Sequence, residues 1–162
     1  MANKDALQGD NHPVAKALQE VLRSSYSLFL ATNNYHWNVE GHRFHALHVM
    51  FEEQYRELFE AIDEIAERIR GLEVYALPFE DGDIIKHMVG LKNPLTEEDK
   101  AEERADMMVA NLIKLQEQVI NDCQNTKKKA VDANDEETED LMIARIQVHQ
   151  KATWMLKSMN KQ

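Results

Sequence analysis

Cysteine is almost absent. Cys123 is the only one in 162 residues, so no intrachain disulfide can form and a reducing compartment is expected. Glycine and proline are scarce too, at five and three. Sandwiches and barrels need many turn residues, so this scarcity argues for long helices instead. No apolar run approaches the roughly 18 residues of a membrane span. The polar opening, Met1 to Asp10, also lacks the apolar centre of a signal peptide. A cytoplasmic protein with no membrane partner is therefore expected. A basic excess is missing as well: 19 Lys and Arg stand against 29 Asp and Glu, a formal net charge of -10. A chain that wraps nucleic acid through its whole surface would run basic, whereas an acidic surface attracts cations.

What is present suits one all-α domain over 1–162, with a short polar tail at 1–12. Apolar residues make up 43% and charged residues 30%, enough for a packed core without a disulfide or structural zinc. The first helix is expected from Pro13, a good first-turn residue, to Glu40. Val14, Leu18, Val21, Leu22, Phe29 and Thr32 form its inward stripe, and Gly41 ends it. The second follows at once and runs to Arg70. Its stripe holds Phe44, His48, Phe51, Tyr55, Leu58, Phe59, Ile62, Ala66 and Ile69. So tight a turn forces an antiparallel hairpin. Between Leu72 and Leu95 the pattern breaks at Pro78, Gly82, Gly90 and Pro94, leaving room for a short extra helix over Asp83 to Val89 in a long crossover. Thr96, with Glu98 and Asp99, opens the third helix, through Met107, Leu112, Leu115 and Val119 to about Thr126; Lys127, Lys128 and Lys129 suit its C-terminal dipole. The fourth runs from near Asp135 to about Met159. The whole is a four-helix bundle.

The second helix carries the chemistry. With His48 at zero on a helical wheel, Glu52 falls near 40°, Asp63 near 60° and Glu67 near 100°. That arc overlaps the apolar stripe, where uncompensated carboxylates are costly, so it invites cations. Asp63 lies about 22 Å along the axis from His48, too far to share an ion with it. His36, five residues before Gly41, meets His48, seven after it, at nearly equal height in the hairpin. One end thus offers two imidazoles and Glu52; the other offers Asp63 and Glu67. Each is an incomplete site, and two chains paired head to tail about a twofold axis would complete both. Mixed imidazole and carboxylate ligands suit iron and similar first-row cations, and two metals bridged by carboxylate are an arrangement that activates oxygen species.

The run His36-Trp37-Asn38-Val39-Glu40-Gly41, then Phe44, His48 with Glu52, and Asp63 with Glu67, resembles the ferroxidase signature of the Dps family of miniferritins. The likeness covers nearly the whole chain, including the short crossover helix, and implies a ferritin-like four-helix bundle. It implies a hollow dodecamer built on twofold dimers, in which His36 and His48 come from one subunit and Glu52, Asp63 and Glu67 from its partner. Up to two irons per site would be oxidised there, preferably by hydrogen peroxide, and ferric mineral stored inside. Many relatives have Asp where Glu52 stands, a change that keeps the charge and lengthens the reach. Trp37 is implied to sit close to the irons and absorb stray oxidising equivalents. The first turn of the fourth helix is implied to line an ion pore, with Glu136 and Asp140, one turn apart, as the pore candidates.

Plainer readings are open for single residues. His48 alone would pass for a core histidine and Glu52 for a solvated one; their company decides the matter. His45 lies about 60° off the stripe and is a weaker candidate. His12 and His149 lack acids at helical spacing; with His87 they read as structural or exposed, and Cys123 as inert. The alternative function is a DNA-binding nucleoid protein with iron oxidation secondary. Lys4 and Lys16 are balanced by Asp5 and Asp10, and the far end offers only Lys157 and Lys161, so DNA binding is expected to be weak. A ferritin or rubrerythrin with its site inside each bundle would need Glu-x-x-His pairs, and the sequence has none.

Overall fold

The structure is a computed structural model that describes residues 12–76, 86–88, 90–95 and 100–160. Four long helices and one short 3-10 turn account for the regular structure of these residues, among which no strand occurs. Helix α1 spans Pro13–Asn38, with Pro13 in its first turn and the His12 ring nitrogen Nδ1 accepting from the Ala15 amide at 3.2 Å. It stops two residues before the expected Glu40, because Val39 turns extended while its N–H still bonds the Tyr35 carbonyl. Gly41 follows with φ +100, and a Cβ there would collide with the Glu102 carboxylate. Helix α2 spans Phe44–Gly71. Helix α3 spans Ala101–Ala133 and α4 spans Glu136–Met159.

Helix α3 outruns the end expected at Thr126. Thr126 and Ala130 both stay buried, so the inward stripe continues past Lys127, Lys128 and Lys129. Asn134, in the left-handed region at φ 54, ends it where glycine would be usual. Asp135 then caps α4, accepting from the Thr138 N–H at 2.9 Å and from Arg68 of α2 at 2.7 Å. The expected opening of the third helix at Thr96, Glu98 and Asp99 lies outside the described residues, as do residues 1–11 of the N-terminal tail and Pro78 and Gly82. Of the short helix expected over Asp83 to Val89, Lys86–Met88 is described, as a 3-10 turn against α1 and α3.

α1 packs on α2 and on α3, and α3 packs on α4, giving two hairpins joined by the long crossover. Leu18, Leu28, Phe51, Leu58, Met108 and Leu156 are fully buried among the α-helices, each contributing about 1.5–3 kcal/mol. The core also holds a polar chain. The His149 Nδ1–H donates to Gln116 at 2.6 Å, and Arg145 donates to His149 Nε2 at 3.0 Å while pairing with Glu57 of α2. Burial, and then the Arg145 charge, push the His149 pKa down to about 3, so this histidine is a neutral structural member. Cys123 is buried, which drives its thiol up to about 12 and leaves it inert.

Candidate metal centre

The turn between α1 and α2 fixes the site. Its Arg43 donates to Asp106 of α3 at 2.5 Å and to the Met159 carbonyl at 2.9 Å. The His42 N–H donates to Glu102 at 2.6 Å, and Arg104 pairs with Glu40. Strapped to both α3 and α4, the turn holds His36 and His48 face to face, rings stacked at 3.8 Å. Their orientation is reciprocal. His36 Nδ1 lies 2.9 Å from the His48 carbonyl, and His48 Nδ1 lies 2.8 Å from the His36 carbonyl. A carbonyl oxygen only accepts, so each Nδ1 carries the proton and each Nε2 offers its lone pair in the neutral ring. Edge-on Tyr55, at 5.2 Å, braces the His36 ring.

Glu52 stands one turn beyond His48, and one ligand atom from each of His36, His48 and Glu52 lies within 4.8 Å of the other two. No other such group of three occurs among the described residues. Within the chain Glu52 groups with the two histidines, whereas the family resemblance implied that it would come from the partner. The i,i+4 spacing on a straight helix puts Glu52 on the face that carries His48. Arg56, one turn further on, places Nε at 2.9 Å and a terminal nitrogen at 2.7 Å from the same Glu52 oxygen. This fork, with the nearby histidines adding a smaller effect, holds the Glu52 carboxyl below its ordinary range.

Asp63 and Glu67 are outside this cluster, as the axial distance requires, and both are exposed in the single chain. The sequence reading put them on the buried stripe; the structure shows why that fails. Leu47, Phe51, Leu58, Ile65 and Ile69 form the true core line of α2, centred about 80° from His48 on the side away from the acids. Phe44, Tyr55, Phe59 and Ala66 form a second line near His48 itself, which the bundle does not fully cover. Phe59 is 67% exposed and Phe44 44%, and Trp37 on α1 is 67% exposed. Phe44, His48, His36, Tyr55, Phe29 and Phe59 run in successive ring contacts along the hairpin. Asp63 lines a groove of about 490 Å³ beside Tyr26, Phe29 and Phe59 at the far end of this ladder.

Glu136 and Asp140 are both exposed. Asp140 and Glu67 line one groove between α2 and α4, a neighbourhood that sequence spacing does not reveal. His45 is exposed and outside the cluster, while His42 pairs with Glu102 at 2.7 Å. Arg56 was overlooked in the sequence, although its i,i+4 distance from Glu52 is legible there.

The ferritin-like domain family matches residues 15–162. A Bacillus anthracis protein named DNA protection during starvation protein 2 is 31% identical over 148 residues, 91% of this chain and 97% of that one. The chain belongs to the Dps family of ferritin-like proteins. An uncharacterised low-temperature-induced protein of Nostoc is 35% identical over 148 residues, 90% of this chain and 78% of its own length. Among solved structures, Dps from Thermosynechococcus elongatus superposes with TM-score 0.78 at 27% identity, covering 98% of this chain and 94% of that one. The Dps protein of Vibrio cholerae, described as a ferritin-like diiron-carboxylate protein, gives TM-score 0.76 at 28% identity over 91% and 89% of the two chains. Membership in the Dps family supports a miniferritin role, and no described helix is long and apolar enough to cross a membrane.

Proposed function

We propose that this chain is a ferroxidase whose sites form between two copies, within a closed shell, most simply of twelve chains, that stores ferric mineral. In each site the His36, His48 and Glu52 group of one subunit faces Asp63 and Glu67 of its twofold partner. The observation that carries the reading is the half-site: a preoriented imidazole pair with one carboxylate, on a face whose aromatic ladder lies partly uncovered. The likeness to a diiron-carboxylate protein of Vibrio cholerae supports iron as the ion.

The substrate is Fe(II), at most two ions per site. Two Fe(II) give one electron each to hydrogen peroxide, the O–O bond breaks, and two hydroxides form, so charge and electrons balance. Pairing the electrons matters, because a single-electron step would release a hydroxyl radical. Neutral Nε2 lone pairs favour Fe(II), and the three carboxylates offset the added charge of Fe(III). Trp37, next to His36 in sequence and exposed in the single chain, would absorb a stray oxidising equivalent. Glu136 and Asp140 would admit Fe(II) at a pore. The protein would act in the cytoplasm, protecting against oxidative damage, with DNA association secondary.

Native mass spectrometry should show a twelve-chain assembly. Stopped-flow absorbance should show peroxide-dependent Fe(II) oxidation that His48→Ala removes in shells of normal mass. A fully active monomer would overturn the proposal.

A further inference from the structure

Arg56 is the charged group at the site that the proposed chemistry does not use. In the single chain it is 68% side-chain exposed, so no packing within the bundle fixes it, yet both of its donors converge on a single oxygen of Glu52. Its guanidinium also lies 5.7 Å from the centre of the Tyr55 ring, whose edge braces His36. A carboxylate oxygen holding two charge-assisted hydrogen bonds is a weakened donor toward any second cation. Glu52 is also one carbon longer than aspartate, and that length, with the i,i+4 spacing, lets the fork close.

We infer that Arg56 is a built-in competitor for Glu52, a positioning residue that lowers the affinity of the imidazole half-site for divalent cations. This rests on the ferroxidase reading of the same cluster. A dication that takes the Glu52 carboxylate must weaken both bonds from Arg56 and accept a like charge close by. The effect belongs to the metal-binding equilibrium of Glu52, not to the fold, since Arg56 touches no core residue through these bonds.

Co(II), which peroxide-free buffer leaves in the divalent state, serves as the probe, with calorimetry on intact shells at low ionic strength. Arg56→Gln should bind Co(II) about 2- to 5-fold more tightly than wild type, in proportion to an exposed ion pair. The gap should narrow as salt screens the charge. Arg56→Lys, which keeps the charge, should stay nearer to wild type. In a Glu52→Gln background the Arg56→Gln change should have no effect, because the contested carboxylate is gone. Unchanged or weaker Co(II) binding by Arg56→Gln overturns the inference, as does an equal gain in the Glu52→Gln background. Failure of wild-type shells to bind Co(II) in a His48-dependent way would instead overturn the ferroxidase site itself, and the inference with it.

Discussion

Ownership of the ligands can be tested by mixing two inactive variants. His48→Ala damages the imidazole half of its own chain, and Asp63→Ala damages the acid half. About 22 Å of helix separates them, so neither lesion reaches the other half of the same chain. A dimer with one of each chain then holds one intact site and one that lacks both ligands. Random pairing at equal amounts makes about half of the dimers mixed, so about one quarter of the wild-type sites should return, by the symmetry of a twofold interface. The assay is the fast phase of Fe(II) oxidation in shells unfolded together, reassembled and shown by mass to be mixed. His36→Ala with His48→Ala should give no rescue, since both lesions fall in the same half. Glu52 sharpens the test. The cluster places it with the histidines, so Glu52→Ala should be rescued by Asp63→Ala and not by His48→Ala. The reverse pattern would return Glu52 to the acid half, and no rescue in any verified mixture would refute shared sites altogether.

Replacing Glu136 and Asp140 by Gln and Asn should slow iron entry into intact shells while leaving Co(II) binding at the histidine cluster unchanged; equal uptake rates would make these acids mere dipole partners of α4. A gel-shift at near-physiological salt without magnesium should show little retardation of duplex DNA, whereas tight binding that collapses with salt would show that the basic residues were underrated. His149 supplies an acid sensitivity: its folded pKa, about 3, lies below its unfolded value, so its contribution is full above the unfolded pKa and declines as pH falls through the window between them. The loss is roughly 1.4 kcal/mol per pH unit below about 6.5. In denaturant unfolding at stepped pH, His149→Gln should flatten this slope, and an unchanged slope would mean that other groups carry the acid response.

Local chemistry made most of the fold legible. Pro13, Gly41 and Asp135 mark helix ends by their backbone preferences and capping, and each marks one in the structure to within about two residues. Lys127 to Lys129 misled because charge at a C-terminus is only a tendency, while the burial of Thr126 and Ala130 decides where α3 ends. The facing histidines were legible for a stronger reason. A turn strapped on both sides fixes the register of two straight helices, so five residues before Gly41 must meet seven after it. The same rigidity groups Glu52 with His48 within one chain, where the family resemblance implied the partner's half.

The apolar arc of α2 was harder to read because two faces are written into one helix. A bundle helix needs one stripe, and Leu47, Phe51, Leu58, Ile65 and Ile69 supply it. The second line, from Phe44 to Ala66, is only partly used inside the bundle, where Tyr55 braces His36, and its exposed Phe44 and Phe59 become intelligible if another surface covers them. The candidate ligands lie along and beyond that second line, and Asp63 and Glu67 stay solvated in the single chain. On the proposed reading their desolvation would come at assembly rather than at folding. In the proposed dimer each site then collects the carboxylates of Glu52, Asp63 and Glu67, and Arg56 is already paired with the first of them. Before any iron arrives, the same fork that weakens divalent binding offsets part of that negative charge. Assembly without metal would therefore draw on one ion pair, between residues four apart on one helix.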